Sequence, residues 1–147
     1  MRAFSLLEVV VVLFLIGILA FTAAPRIQSN HQQLYSAYSI LRSHIRYAQM
    51  RSLSYGEQYG IRSDSRHSYV MFRTSSASTL PLPGGGTPYL LDESITVTPF
   101  SISFDSWGTP YKGEGQESPL ASAFTITLSD SEESRKVIIN AATGFIE

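Results

Sequence analysis

Apolar residues follow three patterns along the chain. From Phe4 to Ala24 they are almost continuous, with Glu8 the only charge among them. At about 1.5 Å per residue a helix of that length rises roughly 30 Å, the thickness of one hydrocarbon core, so the pattern predicts a membrane-spanning helix over 4–24. Beyond Pro25 the spacing becomes three or four: Leu34, Ala37, Tyr38, Leu41, Ile45, Ala48 and Ser52 share one face. That stripe predicts an amphipathic helix over 25–56 that covers a sheet, with Gly56 after Tyr55 as its C-terminal stop. Arg42, Arg46 and Arg51 fall largely off the stripe, as surface arginines solvating the helix do. If the helix runs through Pro25 with only a kink, Phe4 to Tyr55 makes a rod of roughly 75–80 Å.

After Gly56 the period changes to two. "YGIR", "SYVMFR", "SITV" and "FSISF" are short and β-branched or aromatic, and Phe124, Ile126 and Leu128 alternate with Thr125, Thr127 and Ser129. "RKVIIN" supplies another strand, with "SDSEES" as a hairpin tip between the last two and "SSASTLPLPGGGTP" as a long surface loop. The expected fold is α+β: an antiparallel sheet of four to seven strands, over 57–147, packed on the second half of a long N-terminal helix whose first half spans a membrane.

Composition mainly excludes. A net charge of −1 and a pI near 6.3 give no global attraction to nucleic acid or anionic lipid, and the absence of cysteine removes disulfides, thiol nucleophiles and thiolate metal sites. His31, His44 and His67 have no i, i+4 pairing, so the expected reading is three solvent-facing histidines and no metal centre. Asp64 and Ser65 beside His67 make no triad in a serine-rich chain. Gly84, Gly85 and Gly86 lack the lysine and following helix of a phosphate cradle. No enzyme, cofactor or small-molecule substrate is expected. For nucleic acid the candidates are Arg42, Arg46 and Arg51 with Arg62 and Arg73, a local patch at most.

Glu8 sets the sharpest question. An ionisable group within a spanning segment costs several kcal/mol if unpaired, and no Lys, Arg or His lies between Phe4 and Ala24, so its partner belongs to another chain. A cleaved secretory signal would fit Arg2, Thr22 and Ala24, but the apolar run is too long, holds an acid, and would place Pro25 just after the cut.

The stretch Ala3, Phe4, Ser5, Leu6, Leu7, Glu8 and the apolar run after it resembles the amino-terminal motif of type IV pilins and type II secretion pseudopilins. The resemblance implies a leader over 1–3 removed by a prepilin peptidase between Ala3 and Phe4, N-methylation of Phe4, and Glu8 as the fifth mature residue, neutralising the amino terminus of a neighbouring subunit. The family usually has Gly where this chain has Ala3. Gly17 and Pro25 match positions between which family filaments unwind. The location implied is the inner membrane, single-pass with a periplasmic head, and then a pilus or pseudopilus. "LYSAYSILRSHIRYAQMRSLSYGEQYGIR" and "VIINAATGFIE" resemble the helix, first strand and closing strand of the H-type minor pseudopilin and FimT-like domain, which implies a minor subunit whose partners are other pilins or pseudopilins. "FDSWGTPY" resembles a turn of major pseudopilins and of mannose-sensitive haemagglutinin-type minor pilins; the first of these include calcium binders, but here Glu114, Glu117, Asp130, Glu132 and Glu133 form no recognised cage. The expected turn is a tight one packed by Trp107 and Tyr111. Competing readings are an uncleaved, anchored binding or regulatory module, a secreted domain beginning at Pro25, and a DNA-binding minor pilin, although the tail lacks the basic cluster of resembling DNA-uptake pilins.

Overall fold

Residues 6–23, 29–115 and 118–147 are described in the structure, a computed structural model. Ala3, Phe4 and Pro25 lie outside the described residues, as does the stretch through which a single rod would have to run. Helix is described over α1 (Leu6–Ala23) and α2 (Ser29–Tyr55). Among the described residues no helix is long and apolar enough to cross a membrane. α1 has 18 residues, a rise of about 27 Å against a core of about 30 Å. This overturns the membrane-spanning first half expected above, and with it the transmembrane helix and the single-pass inner-membrane location with a periplasmic head. α1 is a separate unit from the head, and its large apolar side chains from Leu6 to Leu19 are exposed.

The head, from Gln33 onward, is built on the α2 stripe. Leu34, Ala37, Leu41, Ile45, Ala48 and Ser52 are buried as their spacing predicts, and Tyr38 packs beside them half-buried. Ser52 keeps its place on an apolar face because its hydroxyl is satisfied twice: it donates to the Ala48 carbonyl (3.2 Å) and accepts from the Tyr59 amide (3.0 Å). The helix stops at Gly56, whose φ of 66° suits glycine and whose amide donates to the Ser52 carbonyl.

Among the described residues nine strands follow: β1 (Tyr59–Ser65), β2 (Ser68–Arg73), β3 (Ser76–Leu80), β4 (Tyr89–Leu90), β5 (Thr96–Val97), β6 (Ser101–Phe104), β7 (Pro110–Lys112), β8 (Phe124–Ser129) and β9 (Ser134–Ile139). They form two antiparallel sheets where one was expected. The larger runs β3-β2-β1-β6-β7 with β4 also on β2, and the smaller runs β5-β8-β9. Tyr59, Ile61, Tyr69, Met71, Ile102 and Phe104 from the first sheet join Val97, Ile126, Leu128, Val137 and Ile139 from the second in one core with the α2 stripe. The sheets divide at Pro99. Thr98 still donates to the Thr127 carbonyl, whereas Phe100 exchanges hydrogen bonds with Ser63 in the first sheet. The expected loop over 75–88 hides β3, a Ser- and Thr-rich edge strand on β2 whose one bulky apolar residue, Leu80, is too little to give a period-two signal.

Candidate functional site

Two regions carry the residues singled out by sequence. The first is α1. Glu8 lies in its first turn, exposed, and makes no ion pair with another described residue. Beside it Val9, Val12 and Leu13 border a shallow apolar hollow of about 300 Å³. Gly17 lies within the helix with open space where a side chain would be. An apolar helix exposed on all sides with a single carboxylate is a surface that water cannot satisfy, and it is suited to burial against similar helices.

The second is the flank of α2. Arg42 and Arg46 are not merely solvated. Both donate to the Ile146 carbonyl, Arg42 from Nη2 at 3.2 Å and Arg46 from Nη2 at 2.9 Å. Gln49 continues the same flank, its Nε2 donating to the carbonyls of Gly108 and Gly144, each at 3.1 Å. Gly144 has a φ of 64°, and a Cβ there would meet the Gly108 carbonyl at 2.5 Å and Gln49 Nε2 at 2.6 Å, so only glycine lets the two turns close on one glutamine. The helix thus clamps the segment that bridges back to β9 through Ile139 and Ile146. Arg51 stands over the rings of Tyr47, Tyr55 and Tyr59, with its guanidinium 4.9 Å from the Tyr55 centroid. Arg62 pairs with Glu114 and Arg73 with Glu57. All five arginines of the candidate phosphate patch are therefore engaged within the head. The spacing of Arg42, Arg46 and Gln49 along one flank was the available signal for the clamp; their carbonyl partners were not visible in sequence.

Tyr111 and Trp107 part company in the Asp105 turn. Asp105 is buried, its Oδ1 accepting from the amides of Trp107 (2.9 Å) and Thr109 (2.8 Å) and its Oδ2 from the Tyr111 hydroxyl (3.4 Å). The carboxylate is spent on holding the turn. Trp107 does not pack against it; the side chain is 83% exposed. Among the described residues no three of His, Asp and Glu converge as a metal site would require.

Of the histidines, His31 has its side chain outside those described, and His67 is half-buried with Nδ1 on the Ile95 carbonyl (2.8 Å). His44 overturns the solvent-facing expectation: it is buried, with Nε2 on the Pro83 carbonyl (3.0 Å) and Nδ1 on the Tyr69 hydroxyl (2.8 Å). A carbonyl only accepts, so Nε2 carries the proton and Nδ1 accepts from Tyr69. Burial holds the His44 pKa below 6.5, partly offset by the Pro83 bond, and burial with nearby Tyr89 pushes the Tyr69 phenol up. Below pH 6.5 the unfolded chain therefore takes a proton that the folded head refuses. Stability is expected to fall as pH drops through 6.5 toward the folded value, with a contribution of at most about 1.4 kcal/mol per pH unit. Urea unfolding from pH 8 to pH 5 checks this: the wild-type slope should exceed that of His44→Gln, and equal slopes would remove His44 as the cause.

Residues 40–143 match the family described as type II transport protein GspH. The fold is similar to that of the type IV minor pilin FimU of Pseudomonas aeruginosa in two crystal forms. One has a TM-score of 0.59 at 16% identity, covering 80% of this chain and 88% of that chain. The other has a TM-score of 0.55 at 18% identity, covering 78% and 90%. No curated protein matches the sequence.

Proposed function

Because the chain belongs to the family of the type II transport protein GspH, within the type IV pilins and type II secretion pseudopilins, we propose that it is a minor pilin or pseudopilin assembled with other such subunits into a thin filament. Proteins of this family are structural and non-catalytic. The observation that carries the reading is α1, whose apolar side chains stand exposed from Leu6 to Leu19 around one carboxylate. Packing such helices side by side buries the apolar surface, at roughly 25 cal/mol per Å², but it would also bury Glu8. An unpaired carboxylate in that setting costs several kcal/mol, so assembly needs a cation on the neighbour. Removal of residues 1–3 by a prepilin peptidase would supply one: the new amino group of Phe4, N-methylated and still protonated. The pair would then set the axial register between subunits. FimU, named a type IV minor pilin, offers the same kind of head for such a subunit.

Intact mass with amino-terminal fragmentation, on protein from its native host, tests the processing step. A terminus at Phe4 with one added methyl is expected, and a start at Met1 would overturn it. Glu8→Ala tests the contact: the variant should keep a folded head while its incorporation into filaments falls at least tenfold. Unchanged incorporation would remove this account of the carboxylate.

A further inference from the structure

The fork at Pro99 leaves a strand position vacant. Up to Thr98, β5 runs beside β8: Thr98 donates to the Thr127 carbonyl (2.9 Å), and the Thr127 amide donates to Thr98 Oγ1 (3.1 Å). Proline then has no N–H to continue the ladder, and Phe100 crosses to Ser63. Two residues back along β8, Thr125 directs its backbone groups to the same side as Thr127. Its neighbour in register on β9 is Ile138, which exchanges both of its hydrogen bonds with Glu147 instead (3.2 and 2.9 Å). The N–H and C=O of Thr125 therefore face an open groove and have no backbone partner among the described residues. The residue is exposed.

The groove holds about 780 Å³, within the range of natural ligand sites. Lys112, at the end of β7, and Lys136, opposite Thr127 on β9, both line it, and among the described residues no carboxylate does. Neither lysine makes an ion pair among the described residues. Half-buried Phe124 supplies an apolar contact. We propose that this groove takes an extended acidic peptide segment of another protein, which adds as a short strand on Thr125 with its carboxylates between Lys112 and Lys136. Main-chain hydrogen bonds to a vacated edge provide affinity, and alternate side chains provide selection. Two lysines suit a pair of carboxylates, whereas a nucleic acid needs a longer run of cations and exposed rings for stacking.

The test uses the full chain in mild detergent and a fluorescein-labelled hexapeptide of alternating Val and Glu, followed by anisotropy. Saturable binding is expected. It should weaken at least tenfold in the Lys112→Glu/Lys136→Glu variant, with an unchanged urea midpoint showing that the variant is folded. It should weaken similarly for one of two peptides N-methylated at alternate amides, which removes the outward donors without touching the protein. Equal binding of a Val/Lys peptide, equal binding of both methylated peptides, or no binding at millimolar peptide would overturn the proposal. Displacement of the peptide by a short oligothymidylate at lower concentration than by unlabelled peptide would overturn it in favour of nucleic acid.

Discussion

Gly60→Ala is expected to destabilise the head by about 3 kcal/mol, at the upper end of overpacking costs. Gly60 sits in β1 opposite Phe72 on β2 and Ser103 on β6. A Cβ there would collide with the Phe72 ring on one side and the Ile102 carbonyl oxygen on the other, closer than real Cβ contacts come. The ring could swing away only by exposing itself; it is buried, and the Arg62 guanidinium stands over it at 6.0 Å. The carbonyl belongs to the β1–β6 ladder and cannot yield without breaking register at Ile61 and Ile102. Thermal unfolding should show a fall of roughly 10 °C or more. Gly56→Ala separates strain from crowding: its φ is 66° but nothing lies within 4 Å, so about 1 kcal/mol is expected. If the two substitutions cost the same, Phe72 and Ile102 relax freely and this account of Gly60 fails.

Leu41→Ala is expected to cost about 3 kcal/mol, within the 2–5 kcal/mol of large-to-small core changes. Leu41 is fully buried midway along the α2 stripe, in the cluster to which both sheets contribute. Truncation removes the contact and leaves a cavity that a helix and two sheets have little freedom to close. Leu53→Ala, on the same helix but 53% exposed, should change stability by less than about 0.5 kcal/mol. Urea midpoints of the two variants measure the contrast. Similar losses would mean that the two faces of α2 are not as different as their burial.

The α2 stripe was legible because one helix face meets one core, and a period of 3.6 records that in Leu34, Leu41, Ile45 and Ala48. The same phase holds His44, three residues after Leu41 and four before Ala48; chemistry alone made it read as solvent-facing, and its partners come from elsewhere in the chain, Tyr69 from β2 and Pro83 from the turn after β3. Strand content was legible from the β-branched and aromatic runs of β2 and β6 and from alternation in β8. The division into two sheets was not, because it depends on what Phe100 pairs with after Pro99, a choice made between segments 37 residues apart. For Trp107, aromatic identity suggested packing, but the backbone bonds to Asp105 that hold the turn leave the indole outside. At the candidate site, the apolar run and its lone carboxylate stood out at once. The partner proposed for Glu8 is the amino group of a neighbouring subunit, which the sequence of one chain does not place.

The glutamine joining two glycine turns also bears on how the head comes together in time. Gln49 reaches carbonyls 59 and 95 residues further along the chain, and Arg46 one that is 100 residues away. Closing loops of that size adds little thermodynamic penalty, because the cost grows only with the logarithm of length. Its effect is on rate, since distant contacts are rewarded only after the intervening chain has been ordered. The helix and first hairpin can assemble early, while the flank bearing Arg42, Arg46 and Gln49 stays open until the closing turn arrives. Docking of Gly144 to Ile146 should therefore be a late step, leaving an interval in which three strong donors are available to any carbonyl that reaches them first.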